Sequence, residues 1–135
     1  MGEELLIPTR LYVKPIVEIL EHFHDNPVHG LAHITGGSFT KLSRLNKKVT
    51  YILNKLPTTE GIFRQIQTDG RLDAAEMYRT FNMGIGFCVI LPRGSMENAV
   101  RIFEKHKTTC IQIGRVDGNG KGNVVAKLGN RNTIL

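Results

Sequence analysis

Apolar positions follow helical spacing in some stretches of this chain and strand-like runs in others. From Pro15 onward, Ile16, Ile19, Leu20 and Phe23 fall at the i, i+3, i+4, i+7 spacing of an amphipathic helix. Pro15 suits a first turn, and Asp25-Asn26-Pro27 supplies a stop. Leu31 to Thr35 reads as a short strand, after which Gly36-Gly37-Ser38 opens a helix carrying Phe39, Leu42 and Leu45 on one face. A strand is expected over Val49 to Leu53, ended by Pro57, and a helix over Ile62 to Thr68, closed by Asp69-Gly70. Asp73 precedes Glu76 by three positions, a capping-box spacing, and starts a short helix with Met77, Tyr78 and Phe81. The unbroken apolar run within Gly84 to Leu91 predicts a strand buried on both faces. Met96 to His106 then returns to helical spacing through Ala99, Val100 and Phe103. Cys110 to Val116 and Asn123 to Leu128 read as strands flanking Asp117-Gly118-Asn119-Gly120, a hairpin signal. The expected architecture is α/β of the α+β type: a mixed β-sheet flanked by helices, with a terminal β-hairpin. Residues 1–14, with Pro8, form a linker arm, and 15–135 form a single domain.

Composition narrows the classes. The chain has 135 residues, one domain's worth, and 41% are apolar, enough for a real core. Its longest apolar stretches, such as Ile85 to Leu91, fall far short of the roughly 18–20 residues of a membrane span. Gly2-Glu3-Glu4 occupies the place of a basic leader region, and a cytoplasmic protein is expected. Two cysteines, Cys88 and Cys110, supply neither a disulfide framework nor a zinc site and read as buried thiols. The formal charge is +6, which favours anionic partners. The densest basic cluster, Lys41, Arg44, Lys47 and Lys48, has no run of five and no aromatic stacking residues beside it, so nucleic acid is not favoured.

The most informative local feature is Leu31-Ala32-His33-Ile34-Thr35-Gly36-Gly37-Ser38. A strand running through two glycines into a helix is the geometry of an anion nest, with amides of Gly36, Gly37, Ser38 and Phe39 available to phosphate at residues 35–38. The hydroxyls of Thr35 and Ser38 would add donors, and His33, as the candidate catalytic residue, could exchange a proton. The same residues also fit a tight turn with Ser38 as a helix cap. The spacing is not that of a P-loop. In Glu76 to Gly86, a helix ends at Asn82 and Gly84, both tolerant of positive φ, leaving Arg79 and Asn82 at the mouth of the following strand. His22, His24, His29 and His33 match no standard metal pattern, and no metal site is expected.

Three stretches taken together are more specific: Pro8-Thr9-Arg10-Leu11-Tyr12-Val13-Lys14, Gly30 to Gly37, and Glu76 to Gly86. In order and spacing the chain resembles the C-terminal domain of the phosphoribosylformylglycinamidine cyclo-ligase family, the aminoimidazole ribonucleotide synthetases of purine biosynthesis. Ile113-Gly114-Arg115-Val116 extends the match. The resemblance implies a ligase that uses ATP and Mg2+ to close formylglycinamidine ribonucleotide into an imidazole, phosphorylating the formyl oxygen before a nitrogen attacks. It implies that ATP and metal are bound mainly by an N-terminal half absent from this chain, which is also the expected partner and the dimer contact. The C-terminal half would offer its glycine turn to a substrate phosphate, with Arg44, Arg79 and Asn82 as cleft residues, and would be inactive alone. Where the family has three glycines this chain has Gly36-Gly37-Ser38, and of the family's "ENIPR" only Arg44 carries over. The alternatives are a non-catalytic phosphate- or nucleic-acid-binding module, or the related domain of another ATP-binding enzyme such as formylglycinamidine ribonucleotide synthetase.

Overall fold

A computed structural model describes residues 6–25, 28–59 and 61–135. Helix α1 spans Val13–His22, so Pro15 lies inside the first turn, where its missing N–H has no intrahelical partner to lose. The expected stop at Asn26-Pro27 lies outside the described residues. Strand β1 (Gly30–His33) leads through the glycines into a 3-10 helix, Ser38–Arg44. Phe39 and Leu42 of that helix are buried, whereas Leu45, expected on the same face, stays exposed. Strand β2 (Thr50–Leu53), helix α2 (Ile62–Asp69) and helix α3 (Ala74–Thr80) follow, then β3 (Phe87–Ile90) and α4 (Met96–Lys105). The Asp73 carboxylate accepts the Glu76 amide at 2.7 Å, so the cap read from sequence forms. Short β4 (Arg115–Asp117), β5 (Val124–Leu128) and β6 (Arg131–Ile134) complete the chain.

Among the described residues the strands form two sheets. An antiparallel ribbon pairs β1 with β3, setting His33 opposite Phe87. The other sheet is mixed, ordered β4-β2-β5-β6, with β2 parallel to β5. Two expectations are corrected here. Asp117-Gly118-Asn119-Gly120 does not join a hairpin, because β2 lies between β4 and β5. The glycine at 120 answers another demand: a Cβ there would strike the Val49 and Thr50 backbone. The terminal hairpin is instead β5–β6, closed through Gly129-Asn130 with Gly129 at φ +61°. Nor is β3 buried on both faces. Only Cys88 is buried, because β3 pairs with β1 alone and also lines a cleft of about 1260 Å³ facing residues of β2 and β4.

Among the described residues two apolar clusters result. The larger gathers Ile34, Phe39, Leu42, Tyr51, Met77 and Val124 with their neighbours, beneath the mixed sheet. The smaller packs Ile19 and Phe23 of α1 on Ala99, Ile102 and Phe103 of α4. At its border the Glu18 carboxylate meets Lys105 Nζ at 2.8 Å and His106 Nε2 at 2.7 Å. Hydrogen bonds from Lys105 and then His106 hold Glu18 below the ordinary carboxylate pKa. A depressed carboxylate stabilises the fold above its unfolded pKa, and that contribution fades as pH falls through the lowered folded value. Glu18→Gln should therefore lower the melting temperature at neutral pH and match wild type once pH drops well below 4. Thermal melts across that range check this; an unchanged gap at low pH would refute it.

Candidate functional site

The two glycine-bearing segments singled out from sequence meet in space. The Ile34 amide donates to Gly86 O at 2.9 Å, carrying the β1–β3 ladder one residue further. Beyond it, Thr35-Gly36-Gly37-Ser38 makes a tight turn, closed by the Ser38 amide donating to Thr35 O at 2.7 Å. Gly37 sits at φ 80° and ψ 1°, the third-residue geometry of a type II turn, which favours glycine. Ser38 follows at φ 42° and is completely buried, its hydroxyl donating to Phe81 O. That bond ties the turn to the end of α3.

The anion-nest expectation is changed by this arrangement. Neither the Ser38 amide nor its hydroxyl is free to face a ligand, because both serve the turn. Among the described residues the Gly36 and Gly37 amides have no hydrogen-bond partner, so these remain as donors. Thr35 is exposed and its hydroxyl accepts from Lys41 Nζ. Lys41 is thus the residue that the sequence reading missed at this site, having counted it only within a surface cluster. Its signal was the three-residue turn of a 3-10 helix, which brings Lys41 back over Ser38.

The other candidates are more dispersed. His33 is exposed, its ring stacked on Phe87 at 5.9 Å between centroids and edge-on to Tyr12 at 6.0 Å. Arg44 is exposed at the last turn of the 3-10 helix. Arg79 donates through Nη2 to Ile134 O at 2.8 Å, so it braces β6 instead of standing free. Asn82 does not take the left-handed conformation; Met83 and Gly84 do, at φ 50° and 85°. The Asn82 side chain instead accepts the Gly84 amide at 3.1 Å and its carbonyl accepts the Ile85 amide at 2.9 Å, fixing the loop into β3. None of His33, Thr35 to Ser38, Arg44, Arg79 or Asn82 lines the large cleft, which instead has Arg10, Tyr12, Arg93 and Arg115 on its walls.

Gly37 offers a direct check on the turn. A Cβ there would meet only Thr40 Oγ1, at an ordinary 3.6 Å, so conformation and not space excludes a side chain. Gly37→Val should cost about 1–2 kcal/mol from the left-handed backbone alone. Gly36→Ala, with nothing within 4 Å, should be neutral or gain up to about 1 kcal/mol. Urea denaturation of both variants measures the contrast.

A buried serine that ties a glycine turn to the end of α3 in an α+β domain defines a recognisable class. The family of AIR synthase related proteins, C-terminal domain, matches residues 1–127, and the chain belongs to that family. It is 47% identical over its whole length to a phosphoribosylformylglycinamidine cyclo-ligase of Methanocaldococcus jannaschii, of which it covers 40%. A cyclo-ligase of the same name from Methanothermobacter thermautotrophicus is 52% identical over 76% of the chain and 29% of the relative. The chain thus spans two fifths or less of these relatives. A solved structure of a HypE–HypF complex shares the fold, with a TM-score of 0.67 at 21% identity, over 99% of this chain and 46% of that one. No helix among the described residues is long and apolar enough to cross a membrane.

Proposed function

We propose that this chain is the substrate-side domain of an ATP-dependent ligase that cyclises formylglycinamidine ribonucleotide to aminoimidazole ribonucleotide in the cytoplasm. The observation that carries the reading is identity of 47% over the entire chain to a cyclo-ligase of which it covers two fifths, together with its match to a C-terminal-domain family. The partner in this reading is the N-terminal half, which also supplies the homodimer contact of the whole enzyme.

Within this reading the turn at residues 35–37 takes the substrate's 5′-phosphate. The unpartnered Gly36 and Gly37 amides, the Thr35 hydroxyl and the Lys41 ammonium support it as an anion site. His33 remains the candidate catalytic residue and Arg44 a further candidate contact for the substrate, while Asn82 acts by fixing the loop into β3 and Arg79 by bracing β6. ATP with Mg2+ would supply the phosphoryl group that activates the formyl oxygen. Among the described residues no three His, Cys, Asp or Glu side chains gather where a metal could sit. No step through ATP is assigned to this chain.

Complementation tests the reading. The chain alone should neither hydrolyse ATP nor cyclise substrate, and both activities should appear on mixing with the N-terminal portion of a cyclo-ligase relative. Magnesium-dependent turnover by the isolated chain, or none from the mixture, would overturn it.

A further inference from the structure

Exposed apolar side chains are concentrated in residues 6–20 of the chain. Leu6, Ile7, Leu11, Val13, Val17 and Leu20, between 46% and 84% exposed, are six of the ten large hydrophobic residues that the described fold leaves in water. Three of them lie on α1 at i, i+4, i+7, which is one stripe of a helix. Ile16, Ile19 and Phe23 form the adjoining stripe and pack against α4. At 100° per residue the two stripes merge into an apolar arc about 160° wide, broader than the roughly 100° that a one-sided surface helix presents. Lys14, Glu18, Glu21 and His22, with the buried Pro15, occupy the rest of the circumference. Half of the apolar arc is therefore used by the domain core and half is bare. Single exposed leucines need no explanation, but a contiguous set of this kind marks an interaction surface.

The occupant follows from the greater length of the relatives. It matches a C-terminal domain and fills 40% of the M. jannaschii relative, so the remaining polypeptide precedes this domain there. Residues 6–11, which run directly into α1 in the chain, carry the exposed Leu6, Ile7 and Leu11. We infer that the outward face of α1, with Leu6, Ile7 and Leu11, is the seat of the preceding N-terminal domain, with α1 sandwiched between that domain and α4. The inference rests on the proposed function for the existence of the partner, and adds where the partner sits. Glu18, on the polar side, then clamps the helix to α4 through Lys105 and His106 while its other face is engaged.

The test compares cysteine labelling in two settings: the chain alone, and a full-length chimera in which it replaces the C-terminal two fifths of the M. jannaschii relative. Val17→Cys and Leu20→Cys, each checked for an unchanged melting temperature, are treated with a maleimide and read by mass spectrometry at the introduced site. Labelling should be at least tenfold slower in the chimera than in the chain alone, while Ile134→Cys, on β6, labels equally in both. Equal labelling of positions 17 and 20 in both settings would overturn the inference, even in a chimera that turns over substrate. Slow labelling at those positions in the chimera without turnover would uphold it while the proposed activity fails. Slow labelling in the isolated chain, with a dimer seen by sedimentation, would assign the face to a second copy and overturn it as well.

Discussion

Replacing Phe39 with alanine is expected to destabilise the domain by about 3–5 kcal/mol, the range for emptying a fully buried aromatic site. The ring is completely buried in the larger core, 5.9 Å from that of Tyr78 on α3. Little can collapse into the space, because the residue before it, Ser38, is pinned to Phe81 O across the same core. The cost is a large share of the 5–15 kcal/mol by which domains are typically stable. The variant should therefore unfold at much lower urea with a similar m-value. A loss below about 1 kcal/mol would mean that the 3-10 helix repacks freely and that the glycine turn is not held from beneath.

The second large effect concerns Cys88. Burial in β3 pushes its thiol up to about 12 from an ordinary 9.0. Only the thiolate attacks an alkylating agent. At pH 8 this leaves about one Cys88 in ten thousand ionised against about one in ten for the free thiol, so alkylation by iodoacetamide should be about a thousandfold slower. Cys110, raised by burial and then by Glu104, should also react slowly. In denaturing urea both should react at the ordinary rate. The same shift sets a stability trend: above pH 9 the unfolded chain loses this proton while the folded chain keeps it, so stability falls as pH rises toward 12. Peptide mapping after timed alkylation checks the first claim, and Cys88 reacting within tenfold of a free thiol would refute it.

The elements most legible in the sequence were those whose local chemistry and tertiary role agree. Helices α1 and α4 declared themselves by spacing, and α3 by its Asp73 cap, which forms as read. The failures came where one local signal served another purpose. Gly118 and Gly120 spelled a hairpin, yet Gly120 is there so that its backbone can lie against Val49 and Thr50. Strand β6, Arg131-Asn132-Thr133-Ile134, gave no apolar alternation, because it is an edge strand anchored by backbone pairing and by Arg79. The run Phe87-Cys88-Val89-Ile90 looked doubly buried because cleft walls are as apolar as cores. At the candidate site the glycines announced the turn itself. That Ser38 turns inward could not be read, since its partner Phe81 is 43 positions away, and Lys41 was hidden by assuming an α-helix where a 3-10 helix forms.

The parallel pairing of β2 with β5 has a consequence for how the molecule comes into being. Tyr51 and Val124 are neighbours in the sheet but stand 73 positions apart in the chain. At synthesis rates of about 5–20 residues per second, a nascent chain waits roughly 4–15 s between making one strand and making its mate. During that interval β2, carrying Tyr51, Ile52 and Leu53, has a bare edge, and before β4 emerges it has two. Closing so long a loop is also slow for a finished chain, since its entropy must be lost before the pairing rewards it. Helices α1 and α4, whose packing needs neither β5 nor β6, can dock first. The mixed sheet is then the last part of the fold to be sealed, and its hydrophobic strand is the part that a chaperone would have most reason to hold.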